Sequence, residues 1–223
     1  MNPLRSIAWA LLPLLFTAKT LTADVTPTAQ IRFTYENPKL QPQKYVLTVE
    51  EDGTGHFRSE GSGQSDGQSM SSEPQDRPIH ISRTLREAMF AAARKSKLFA
   101  FPCDDGGKNV AFQGTKTLEY AGPEGKGSCV YNWSKNAQIE KLTDQFEAMA
   151  STLDEGSRLQ RQYEHGRLSL DSEMEILDQM VHEGRAIELE NIAPILQTLA
   201  GDEAVLQRVQ RRARALLEAA KSD

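Results

Sequence analysis

Hydrophobic and polar positions alternate with a period of two over much of residues 30–60. In "QIRFTYE" (30–36), Ile31, Phe33 and Tyr35 alternate with polar residues, the pattern of a strand buried on one face. A loop with two prolines, "NPKLQPQ", follows. "KYVLTVEEDGTGHFRSE" then reads as a hairpin: Tyr45, Leu47 and Val49 share a face, Asp52-Gly53 signals the turn, and His56-Phe57-Arg58 begin the return. Residues 59–77 are almost wholly Ser, Gly, Gln, Asp and Glu, too polar to order themselves by burial, and predict an exposed connection. "PIHIS" predicts a short strand. Thr84 and Glu87 have the spacing of a capping box, opening a helix to about Leu98 with Leu85, Met89 and Ala92 on one face.

After Cys103, the alternation of Val110 and Phe112 in "NVAFQG" predicts a further strand. "KTLEYAGPEGKGSCVYNW" predicts a hairpin around Gly122–Gly125. Leu118 and Tyr120 share a face going out; Tyr131 and Trp133 share one coming back, with Cys129 at the start of the return strand. The period then changes. Ile139, Leu142, Phe146, Met149 and Leu153 recur at intervals of three and four, an amphipathic helix. From Asp154 onward the pattern is helical throughout. Gly166, Gly184 and Gly201 stand where glycines just past helix C-termini would stand. Three apolar stripes accompany them: Leu170, Met174, Leu177 and Val181; Ile192, Ile195, Leu196 and Leu199; Val205, Val209, Ala213 and Leu216. Pro194 suits the first turn of a helix starting near Asn191, and Asp202 suits an N-cap for the last helix.

These patterns predict an α+β domain over residues 24–153, an antiparallel sheet with one or two packed helices. A small all-α antiparallel helical domain follows over 154–223, docked through the 139–153 helix. The tail "IELENIAPILQTLAGDEAVLQRVQRRARALLEAA" resembles helical repeats of the HEAT kind. The strand–hairpin–helix–hairpin–helix order of residues 30–153, with "YVLTVEEDGTGHF", resembles uncharacterised domains of exported bacterial proteins. The first likeness implies a surface for other proteins; the second implies export and carries no activity.

The start of the chain agrees with export. Arg5 precedes an apolar run from Ile7 to Phe16, shorter than the roughly 20 residues a membrane span needs, and Ala23 could end a cleaved signal peptide at residues 1–23. No other apolar run could span a membrane. Cleavage removes Arg5 and Lys19 from the 26 basic residues and none of the 31 acidic ones, leaving a net charge of −7. Such a charge argues against non-specific nucleic-acid or anionic-lipid binding. The chain has two cysteines, Cys103 and Cys129. Neither has a second thiol or a histidine within a few residues, as zinc would require, and in an oxidising compartment they most simply form one disulfide.

Candidate chemistry is sparse. "GQSDG" (63–67) matches G-x-S-x-G, but Ser65 lies in a polar run rather than between a strand and a helix. His56, His80, His165 and His182 show no metal-ligand spacing, although His56 and His80 could meet across neighbouring strands. "DDGGKN" (104–109) has the composition of a calcium loop without its alternating carboxylates. Asn132 begins a glycosylation sequon. Arg208, Arg211, Arg212 and Arg214 make the last helix basic, which reads as a solvated face or a partner surface. No catalytic residue, metal ligand or cofactor fingerprint emerges. The expectation is a periplasmic or secreted, non-enzymatic binding or protein-interaction protein of unknown ligand, with another envelope or extracellular protein as the candidate partner. The alternatives are a secreted hydrolase whose site assembles only in three dimensions, and an enzyme inhibitor presenting residues 59–77.

Overall fold

The computed structural model describes residues 28–40, 42–60, 74–106 and 110–221. The expected signal peptide, Ser65 and most of the 59–77 connection lie outside them. Six strands form one antiparallel sheet: β1 (Gln30–Glu36), β2 (Lys44–Glu50), β3 (Thr54–Ser59), β4 (Gln75–His80), β5 (Thr115–Gly122) and β6 (Gly125–Tyr131), in the order β4-β3-β2-β1-β5-β6. Two helices, α1 (Arg83–Lys95) and α2 (Ala137–His165), bury apolar residues with the inner face. Three shorter helices follow: α3 (Leu170–His182), α4 (Ala193–Gly201) and α5 (Gln207–Ala220). The fold is α+β.

Pairing register sorts the inner face into three rows, each crossing all six strands. Ile79, Gly55, Val49, Ile31, Tyr120 and Gly127 make the first, and Arg77, Phe57, Leu47, Phe33, Leu118 and Cys129 the second. Both are mainly apolar. Phe33 stacks on Phe146 of α2 with ring centres 5.0 Å apart, and Phe90 of α1 meets Tyr120 edge-on at 6.3 Å. The third row is Gln75, Ser59, Tyr45, Tyr35, Lys116 and Tyr131. Cys103 and Cys129 are joined in a disulfide, both buried, tying the segment after α1 to β6.

Several local expectations are corrected. The α1 N-cap is Ser82, whose hydroxyl accepts from the Leu85 N–H, so Thr84 already lies inside the helix. Of "NVAFQG", the described residues 110–114 form no strand. The Ala111 carbonyl and the Gln113 N–H bond to the Asn132 side chain instead of a neighbouring backbone, and Phe112 is 54 % exposed. Gly114 then turns the chain at φ +103° against the Tyr35 ring, where a Cβ would sit 2.7 Å away. Cys129 is the fifth residue of β6, not the first, and Trp133 lies beyond the strand. β4 starts at Gln75, inside the stretch read as a loop. It is an edge strand, the position that tolerates Pro78.

The helical half differs mainly in its boundaries. α2 runs unbroken through residues 153 and 154, placing Ile139 to Leu153 in the sheet core and Leu159 in a second core with Leu177, Leu196 and Val209. Gly184 does follow α3 with φ +70°, whereas Gly201 is the last residue of α4. α5 begins at Gln207. Asp202 caps the preceding turn at the Ala204 N–H rather than the helix.

The tail is docked twice. Along α2, Gly156 lets Ile192 approach so closely that a Cβ there would sit 2.3 Å from its methyl, while the Thr152 hydroxyl accepts from the Ile187 N–H and donates to its carbonyl. At the β4 edge, the Asn191 amide pairs with both backbone groups of His80, each at 2.8 Å. The Glu188 carboxylate, in a left-handed backbone conformation, takes the N–H and hydroxyl of Ser82.

Candidate functional site

The third row has a different character because each strand places a polar or aromatic residue at the last inward position of one sheet end. Tyr35 is the last residue but one of β1, Tyr45 and Lys116 are the second residues of β2 and β5, and Tyr131 ends β6. α2 crosses this row and faces it with its own polar residues. The Tyr131 and Thr143 hydroxyls lie 2.5 Å apart, Glu147 stands opposite Lys116, and Ser157 donates to the Gln75 side-chain oxygen at 2.8 Å. Between these contacts the two layers do not close. A cavity of about 370 Å³ opens there, with Tyr35, Tyr45 and Phe57 on the sheet side and Glu147, Ser151 and Asp154 on the helix side. Leu40 and Pro42 form its rim. A second cavity of about 310 Å³, bordered by Tyr131, Trp133 and Asp144, lies beside it and shares Lys116 and Glu147.

Lys116 is the unusual member of the row. Its inward parity on β5 buries it to 5 % exposure. Nζ donates to the Asn132 carbonyl at 3.3 Å, lies 3.8 Å from a Glu147 oxygen, and sits 5.8 Å from the centre of the Tyr35 ring. Tyr35 is fixed at its tip: its hydroxyl donates to the Gln113 carbonyl at 3.0 Å and accepts from the Asn37 amide at 3.2 Å. It stacks on Tyr45 with ring centres 5.1 Å apart. Burial, helped by the Glu147 charge, pushes the Tyr45 hydroxyl well above the usual phenol range. Burial likewise raises the Glu147 carboxyl, with Lys116 opposing the shift. Asp154 is paired with Arg158 at 3.0 Å. The site thus combines an aromatic wall, a buried ammonium and a carboxyl that desolvation makes easier to protonate.

The residues singled out from sequence lie elsewhere. His56 and His80 occupy adjacent strands, but the register sets His56 opposite Pro78 and His80 opposite Thr54, and His56 pairs with Asp76 at 2.9 Å. Asp104 is used structurally, accepting from the N–H groups of Gly106, Asn132 and Trp133, and Asp105 accepts from Lys135. Lys108 and Asn109 lie outside the described residues. His165 lies 3.7 Å from Glu164, and His182 bonds the Asp178 carbonyl at 2.8 Å. Arg208 and Arg212 both reach Asp171 of α3, at 2.7 and 2.9 Å, so much of the basic face clamps α5 onto α3.

Among the described residues no group of three or more His, Cys, Asp or Glu side chains could hold a metal ion, and no helix is long and apolar enough to cross a membrane. Sequence reasoning missed Lys116, Glu147 and the tyrosine pair as a site. A signal for Lys116 was present: it stands two residues before Leu118, on the same inward parity. Compared with protein-family models and with curated proteins, the chain matches none.

Proposed function

We propose that the protein is an exported, non-catalytic binding protein, and that the trough between the third row and α2 holds its ligand. The observation that carries this reading is the opening itself. An inward row built from Tyr45, Tyr35 and Lys116 is not sealed by the helix above it but borders a cavity of about 370 Å³, within the range of small-molecule sites. Export is supported by the Cys103–Cys129 disulfide, a bond that persists in oxidising compartments, together with the signal-like start of the sequence. A catalytic reading finds support in Glu147, whose carboxyl burial raises beside Lys116, the kind of pairing that acid–base chemistry uses.

The binding reading is tested by filling the trough. Ser151 lies on α2 at its wall and is only partly buried, so Ser151→Trp projects an indole into the opening without replacing a core residue. The wild-type and variant proteins are purified from their own envelope, and retained small molecules are compared by mass spectrometry after denaturation. A compound held by the wild type and lost in the variant supports the reading. Identical profiles overturn it. Turnover of that compound by the wild-type protein would replace binding with catalysis.

A further inference from the structure

We propose that the trough takes a small organic carboxylate, its anionic group on Lys116 and its apolar or aromatic body along Tyr35, Tyr45 and Phe57. This rests on the reading of the trough as the ligand site and names the chemistry it selects. The argument starts from the lysine. A buried ammonium is stable only where hydrogen bonds and an opposite charge replace water. Lys116 has three N–H donors, and among the described residues one is used, in the 3.3 Å bond to the Asn132 carbonyl. The nearest carboxylate, Glu147, is an ion-pair partner at 3.8 Å, too long for a strong hydrogen bond. The Lys116 side chain is 6 % exposed and begins on a strand, so it has little freedom to seek water, whereas the Glu147 side chain is 42 % exposed and can turn outward. A carboxylate entering beside Nζ would supply two acceptor oxygens and a full charge to the donors left over.

The place of the lysine disfavours a cation against the rings. Asp154 pairs with Arg158 through Oδ2 alone, and its buried Oδ1 has no hydrogen-bond partner. The ring of Tyr35, the natural seat for a ligand ammonium, lies under Lys116 Nζ itself. A cationic ligand would have to displace the lysine, while an anionic one completes its coordination. The aromatic wall then sets the rest of the ligand. Tyr35, Tyr45 and Phe57 present ring surface toward a volume that suits a single-ring or short-chain acid.

The probes are benzoate, 4-hydroxyphenylacetate and octanoate, each matched with its neutral amide, and benzylamine, titrated into the purified full chain and followed by amide NMR shifts of residues lining the trough. The carboxylates should bind at least about tenfold more tightly than the amides. Lys116→Met, which keeps the aliphatic stem, should abolish that preference. Glu147→Gln, which removes the competing carboxylate, should strengthen carboxylate binding by roughly threefold; this second variant keeps the test decisive should Lys116→Met fail to fold. Equal affinity for acids and amides, a preference for benzylamine, or a preference that survives Lys116→Met overturns the inference. If the wild type retains a compound that Ser151→Trp loses while the acids show no preference, the trough is a site and the ligand class is wrong. If nothing is retained and no probe binds, both readings fall.

Discussion

Glu155 offers a test of the helical half that needs no ligand. It lies on α2, 3 % exposed, facing Glu173 of α3. Glu155 Oε1 and Glu173 Oε2 are buried and receive no hydrogen bond from any other side chain or backbone group, and Arg158 is 4.0 Å from Glu155. Two ionised carboxylates cannot share such a site, so one proton must lie between them. Burial first, and the Glu173 carboxyl second, push Glu155 up to about 8. Its folded-state titration therefore lies above the unfolded one, near 4.3. The contribution to stability is complete below the unfolded value, falls as pH rises between the two, and is fully lost above about 8. The width of that window sets a ceiling of about 4–5 kcal/mol, and relaxation around the pair brings the expected loss to about 3 kcal/mol. Glu155→Gln removes the titration while its amide can still donate to Glu173. Urea unfolding of both proteins at intervals from pH 5 to pH 9 should show near-equal stability at pH 5, with the variant ahead by about 3 kcal/mol at pH 9. A difference that does not change with pH would refute the shared proton. So would a variant that is the less stable protein at pH 9.

Two further outcomes follow from the tertiary contacts. Replacing both Cys103 and Cys129 with alanine opens a loop of sequence separation 26 and should lower stability by about 3.5 kcal/mol in the chain-entropy account, read as a fall in the urea midpoint; an unchanged midpoint would remove the staple from the stability of the fold. Asn191→Ala deletes the amide pair that covers the β4 edge at His80 and should cost about 1–2 kcal/mol, with hydrogen exchange at the His80 amide accelerated; unchanged protection there would mean that this amide pair does not hold the tail to β4.

The sheet was legible because burial on one face imposes a period of two, which the apolar residues keep at Ile31, Phe33 and Tyr35 of β1, at Tyr45, Leu47 and Val49 of β2, and at Leu118 and Tyr120 of β5. The α2 stripe was legible up to Leu153 for the matching reason. Beyond it the helix leaves the sheet for other helices, and its buried residues become Glu155, Gly156 and Gln162 beside Leu159. An apolar pattern cannot follow that change, which is why the boundary expected at 153–154 falls inside a continuous helix. The N-cap of α1 was misplaced by two residues because Ser82 answers to Glu188, more than a hundred residues away, as well as to its own helix.

The trough escaped notice for a related reason, and the reason bears on what it is. Hydrophobic periodicity finds a core by its regularity, so a polar residue at an inward position reads as the end of a strand. Lys116, Ser59 and Gln75 were passed over as strand ends or loop in this way. Yet the register carries the inward face one row further, from Phe33 to Tyr35, from Leu47 to Tyr45 and from Leu118 to Lys116. Continuing that row with valine or leucine would have buried more apolar surface and let α2 close on the sheet. Keeping a lysine there instead leaves a desolvated ammonium with donors to spare, an arrangement that lowers stability unless something else completes it. A position where the fold departs from its own pattern at a cost, and beside which the packing stays open, is what the ligand proposal rests on.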